Sequence, residues 1–135
     1  MRVGLLEDDI ATQEMFLLVL QEEGYTAVNY SNAEECLAAL GVTTSEITQS
    51  PIDVMLTDWR LGGSFTGVEV IRQLRRTPHL QTLPIILTTA ATVNATEMAE
   101  LRQLQVALLE KPFSVDEISQ LIKQLVSSPP SNLSK

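Results

Sequence analysis

Three consecutive carboxylates, Glu7, Asp8 and Asp9, follow directly on the apolar Val3, Leu5 and Leu6 at the start of this 135-residue chain. Like charges so close raise one another's cost of ionisation, more so beside a buried strand, and a bound cation would offset that cost. Further polar residues end later apolar runs: Asp58 after "IDVMLT", Thr88 and Thr89 within "PIILTT", and Lys111 after "VALLE". Brought to one place, Asp8, Asp9 and Asp58 suit magnesium, a hard ion typically held by one or two carboxylates with phosphate oxygens and water; manganese accepts the same donors. With the metal and Lys111 offsetting its charge, Asp58 can attack phosphorus and form an acyl phosphate. Charge on the transferring phosphoryl group would be shared by the metal, Lys111 and a hydroxyl, because this transfer is catalysed mainly by positioning and electrostatics. Thr89 can supply the hydroxyl, and Glu7 is expected to point aside and add only to the local field.

Five short apolar segments, residues 3–6, 26–30, 52–57, 84–89 and 106–110, alternate with longer stretches of helical character. That alternation predicts βαβ units and a parallel sheet whose strands are buried on both faces. Ser31 with Glu34, and Ser114 with Glu117, have the spacing of capping boxes. After the second, Val115, Ile118, Leu121, Ile122 and Leu125 recur at helical spacing and predict one packing stripe. Gly24 is placed to end the first helix, and Pro129 with Pro130 the last. In a doubly wound sheet ligands bind outside the carboxyl ends of the strands, where the strand order reverses. Those ends are where the carboxylates, hydroxyls and ammonium fall.

Length and a 44% hydrophobic content fit one domain, assigned to residues 1–126. Residues 127–135, rich in Ser and Pro, read as a disordered tail or the start of a linker. The net charge of −8 argues against a nucleic-acid surface, which needs a clustered positive footprint. The run "MFLLVL" is far short of the roughly 20 residues of a membrane span. A lone cysteine, Cys36, reads as a small core residue in a reducing cytoplasm. The segment 41–51 and the Gly-rich turn 62–67 read as surface loops, with His79 a surface loop residue and Trp59 a packing residue.

These residues together resemble the receiver domain of bacterial two-component response regulators, the chemotaxis regulators among them. The likeness spans residues 2–126: "LLEDD" is similar to the acidic pair ending strand one, "DVMLTDWRLGG" to the phosphoacceptor strand and its loop, "LPIILTTA" to the Thr/Ser-Ala segment, and "EKPF" to the Lys-Pro-Phe segment. The resemblance implies a flavodoxin-like α/β fold, five parallel strands in order 2-1-3-4-5. It implies phosphorylation of Asp58 by a sensor histidine kinase or a histidine phosphotransfer protein. Asp8, Asp9, Asp58 and the backbone carbonyl of Arg60 would hold magnesium, Thr89 and Lys111 would contact the phosphoryl group, and Lys111-Pro112 would be cis. Thr89 is preferred to Thr88 because the small Ala90 follows it, and alternation along the strand is expected to turn Thr88 away from the site. Arg60, and Ala91 opposite, would modulate access of water to the phosphoryl group.

Three positions depart from the pattern. Leu108 stands where an aromatic switch residue is usual, so ring rotation cannot accompany movement of the threonine. Gly62 replaces a common proline while Gly67 arrives one position late, and "RQLQVALL" lacks the small residue normally found before strand five. The expected function is therefore a phosphoacceptor switch that assists its own phosphorylation and dephosphorylation, is not a turnover enzyme, and changes its affinity for an unidentified downstream effector or for a second copy. Two alternatives stay open: a magnesium-dependent phosphohydrolase working through an aspartyl phosphate, and a receiver-like interaction module that is never phosphorylated.

Overall fold

The computed structural model describes residues 1–44, 46–63 and 65–127, the side chain of Ser127 excepted. In chain order the elements are β1 (Arg2–Leu6), α1 (Ile10–Glu22), β2 (Thr26–Asn29), α2 (Ala33–Ala39), β3 (Val54–Asp58), α3 (Gly67–Arg75), a 3-10 turn (Pro78–Leu80), β4 (Ile85–Thr89), α4 (Ala95–Gln103), β5 (Ala107–Glu110) and α5 (Val115–Ser127). The strands form one parallel sheet in the order β2-β1-β3-β4-β5. Leu5 aligns with Leu56, and Leu56 with Ile86, so alternation sorts the side chains cleanly between the two faces. One face carries Val3, Leu5, Val54, Leu56, Ile86 and Leu109 against Phe16, Val19 and Leu20 of α1 and Ile118 and Ile122 of α5. The other carries Leu6, Met55, Ile85 and Leu87 against α2, α3 and Leu101 of α4. Helices on both faces are why the strands are continuous apolar runs.

The helix ends show where local signals competed. Ser114 and Glu117 form the predicted box: the Glu117 amide donates to Ser114 Oγ at 3.1 Å and the Ser114 amide to Glu117 Oε1 at 2.8 Å. The Ser31–Glu34 box does not form, because α2 starts one residue later. Asn32, as good a cap as serine, takes the Glu35 amide at 2.7 Å. Two boxes not anticipated, Thr66 with Glu69 and Asn94 with Glu97, open α3 and α4. Gly24 has φ +82°, as its role after α1 requires. Ile118 and Ile122 are buried, but Val115, in the first turn of α5, is 44% exposed. The helix-ending role given to Pro129 and Pro130, and the tail beyond Ser127, lie outside the described residues.

The segment after α2 is tied down more than a plain surface loop. His79 is half-buried, its Nε2 2.8 Å from the Leu40 carbonyl, and a Cβ on Gly41 would meet both Ile47 O and His79 Nε2. Cys36 is fully buried, and burial pushes its thiol up to about 12. Between α3 and α4, Arg72 pairs with Glu100 through two hydrogen bonds of 2.5 and 2.9 Å. Arg75 donates to the carbonyls of Leu104, Leu80 and Gln105. Gln105 has φ +58°, a left-handed conformation that explains why a small residue is usual just before the fifth strand. Among the described residues no helix is long and apolar enough to cross a membrane.

Candidate functional site

The carboxyl ends of β1, β3, β4 and β5 meet around Asp58, the last residue of β3. Lys111 is anchored at this point by its amide, which donates to the Thr89 carbonyl at 2.7 Å, and by Phe113, which stacks on Phe16 of α1 with ring centroids 5.6 Å apart; the Lys111-Pro112 bond is cis. Its ammonium lies 3.4 Å from Asp58 Oδ2 and 3.9 Å from Glu7 Oε1. The lysine thus spans the space between two acidic side chains that begin 51 positions apart in the chain.

Glu7 does not point aside. It is 3% exposed, its Oε2 accepts the Asp9 amide at 3.1 Å, and its buried Oε1 has no hydrogen-bond partner among the described residues. Burial, opposed by the Asp9 amide but helped by the nearby Asp58 carboxylate, pushes its carboxyl up to about 7. Asp9 is the residue turned outward. Its Oδ2 caps α1, accepting the Thr12 amide at 2.9 Å and the Thr12 hydroxyl at 2.6 Å, and these bonds hold its carboxyl below the usual range. The structure therefore brings Glu7, not Asp9, beside Asp58 and Lys111. An aspartate directly before a helical run is an N-cap signal, and it was present in "DDIAT" to be weighed against the count of adjacent aspartates.

Asp8 faces the loop after β3, where its Oδ2 accepts the amide of Gly62. The usual proline could not make that bond, for it has no amide hydrogen. A Cβ at Gly67 would collide with the Asp58 carbonyl oxygen and approach Leu87, so glycine lets α3 start hard against the end of β3. Arg60 is exposed; with Trp59, Thr89, Ala91 and Glu97 it lines a cavity of about 200 Å³ formed by the segments that follow β3 and β4. Leu108 is half-buried on the α4 side of the sheet, where it packs into the core cluster.

The two threonines part as alternation requires. Thr89 Oγ1 accepts the Ala91 amide at 3.1 Å and the residue lines the Trp59 and Arg60 cavity. Thr88 is the register partner of Asp58 and shares its sheet face. It is 1% exposed and its hydroxyl has no partner among the described residues.

Among the described residues no three acidic, histidine or cysteine side chains already converge on one point. The donor chemistry nonetheless fits a hard divalent cation. Among the described residues Glu7 Oε1 is a buried carboxylate oxygen without a hydrogen bond, Asp8 accepts a backbone amide, and Asp58 ends β3 with Arg60 two residues on.

Known proteins are similar to this chain in sequence and in fold. The chain is 28% identical over 125 residues to the DNA-binding transcriptional regulator NtrC of Salmonella typhimurium, covering 93% of this chain but 24% of that protein. It is 27% identical to the chemotaxis protein CheY of Pseudomonas aeruginosa, covering 90% and 93%. Its fold matches the receiver domain of the sensor histidine kinase PA1611 from Pseudomonas aeruginosa PAO1, a structure with magnesium coordinated in its active-site cleft, at TM-score 0.77 and 21% identity over 94% of this chain and 98% of that one. The sequence profile of the response regulator receiver domain covers residues 3–123, from β1 into α5 and across every strand end described above, and the chain belongs to that family.

Proposed function

We propose that this receiver domain accepts a phosphoryl group on Asp58 from a phosphohistidine, carried by a sensor histidine kinase or a histidine phosphotransfer protein, in a magnesium-dependent reaction. The observation that carries the reading is the Lys111 ammonium poised 3.4 Å from Asp58 Oδ2 with the buried Glu7 carboxylate on its other side. Glu7, Asp8, Asp58 and the Arg60 carbonyl are the groups that would hold the ion, Glu7 in place of Asp9. Bound there, magnesium supplies charge neutralisation for the carboxylates and the phosphoryl oxygens.

Asp58 Oδ bonds to phosphorus as the phosphorus–nitrogen bond of the donor breaks, and the imidazole leaves with the electron pair. Lys111 follows the growing negative charge from the carboxylate to the phosphoryl oxygens, and Thr89, released from the Ala91 amide, donates its hydroxyl to them. Arg60 and Ala91, on the shared cavity, set how water reaches phosphorus. Hydrolysis returns Asp58 to a carboxylate, so the protein is a switch that assists both of its own covalent steps and not a turnover enzyme. The added charge of about −2 biases the packing of loops and helices. With Leu108 in the aromatic position, the readout runs through Thr89, the segment after β4 and α4, which Arg72 and Arg75 fasten to α3.

The downstream partner is a protein, or a second copy of this domain; the charge of −8 does not favour nucleic acid. A cytoplasmic location follows from donors of this kind. Intact mass after incubation with magnesium and acetyl phosphate tests the reading: wild type gains one phosphoryl group and Asp58→Asn gains none. No gain in wild type overturns it, equal gain in both moves the site, and sustained turnover of phosphomonoesters makes the protein a phosphohydrolase instead.

A further inference from the structure

Of the buried polar side chains that the proposed chemistry leaves unused, Thr57 and Ser119 have hydrogen-bond partners and Thr88 has none among the described residues. Its hydroxyl has no partner, it is 1% exposed, and the same sheet face around it carries Leu56, Ile86 and Leu109. A valine of the same shape would avoid the desolvation cost of that hydroxyl. Thr88 is also the register partner of Asp58 on the neighbouring strand, about 4.8 Å away and on the same face. Lys111 reaches Asp58 Oδ2 from beyond β5 and Glu7 flanks Asp58 from the β1 side, while Thr88 is the residue of the adjoining strand β4 level with Asp58. Register partners on one face of a sheet are near enough for their side chains to interact.

We infer that the Thr88 hydroxyl, buried and partnerless beside Asp58 on β4, donates to the Asp58 carboxylate as the acyl phosphate is hydrolysed; this rests on the phosphoacceptor reading above. In that step the water oxygen bonds to phosphorus and the bond from phosphorus to Asp58 Oδ breaks. The electron pair stays on Asp58 and the water's proton leaves with inorganic phosphate. Negative charge returns to the carboxylate as this happens, so a donor there binds the transition state more strongly than the acyl phosphate. The forward reaction consumes the same charge, so the hydroxyl does not hasten phosphorylation. Thr88 thereby shortens the lifetime of the phosphorylated state without touching the phosphoryl oxygens.

The test compares wild type, Thr88→Val and Thr88→Ser, phosphorylated with acetyl phosphate and magnesium and then followed by loss of label after the donor is removed. Thr88→Val is expected to slow hydrolysis by about three- to tenfold, the value of one hydrogen bond. Its forward rate constant and its KM for acetyl phosphate stay at or above the wild-type efficiency, and Thr88→Ser, which keeps the hydroxyl, restores the decay. Hydrolysis of Thr88→Val at the wild-type rate overturns the inference. So does a slow serine variant beside a normal valine variant, which would trace the effect to the methyl group, or a slowing of both directions together, which would mark a packing defect. Wild type that takes up no label overturns the phosphoacceptor reading itself and the role of Thr88 with it.

Discussion

Replacing Glu7 by glutamine separates the cost of the buried carboxylate from its use. In the folded protein burial raises this carboxyl from its ordinary 4.5 to about 7. At pH 4 it is protonated in both folded and unfolded chains and weighs on neither. As the pH rises toward 7 only the unfolded chain releases the proton, so stability falls, and above 7 the full difference of about 3 kcal/mol stands against folding. Glutamine keeps an oxygen for the Asp9 amide and removes the charge, at the loss of a 3.9 Å ion pair with a lysine side chain that is 24% exposed. Without metal, Glu7→Gln should therefore gain about 1 to 2 kcal/mol at pH 8 and differ from wild type by less than about 0.5 kcal/mol at pH 4.5. Magnesium should reverse the order at pH 8, because wild type gains binding free energy that the variant has largely lost. Urea unfolding followed by Trp59, the sole tryptophan, with EDTA and with magnesium at both pH values, measures all four quantities. A variant less stable than wild type by the same amount at both pH values, with the magnesium response intact, would refute the assignment of Glu7 to the cation and to Lys111.

Asp9→Ala should cost about 1 kcal/mol through the α1 cap while leaving magnesium affinity within about twofold, and Asp9→Asn should cost little; a collapse of magnesium affinity in Asp9→Asn would return that residue to the metal. Gly62→Pro deletes the amide that holds Asp8, and magnesium titration by Trp59 quenching should show affinity raised about three- to tenfold; unchanged affinity would mean the amide does not compete with the ion. Gly67→Ala sets a Cβ against the backbone carbonyl of Asp58, which cannot yield as a flexible side chain would. A loss of more than about 2 kcal/mol in urea is expected, and near-wild-type stability would show that α3 can start further from β3.

The sheet is legible in the sequence because buried parallel strands are continuous apolar runs. Each of β1, β3 and β4 shows an apolar run that both helix layers then bury. The acceptor Asp58 and its partner Lys111 were legible for a related reason: each is a polar residue breaking or ending such a run, and run ends share one edge of the sheet. Helix starts were harder, since "SNAEE" offers Ser31 and Asn32 as caps with a glutamate three residues after each. Only the docking of Ala33 and Cys36 into the core settles that choice.

The chain by itself determined the fold class, the strand ends and the cast of carboxylates, hydroxyls and ammonium, because these depend on local composition and on the period of apolar residues. Tertiary structure alone decided which of the adjacent acids looks inward and which threonine lies beside Asp58. The choice between the threonines turns on a one-residue step along a strand, which reverses the face, and that between the acids on where the strand stops and the helix cap begins. Along β4 that step sends Thr88 to Asp58 and Thr89 to the cavity by Arg60. At the end of β1 the demand of α1 for a cap draws Asp9 outward and leaves Glu7 buried against Lys111.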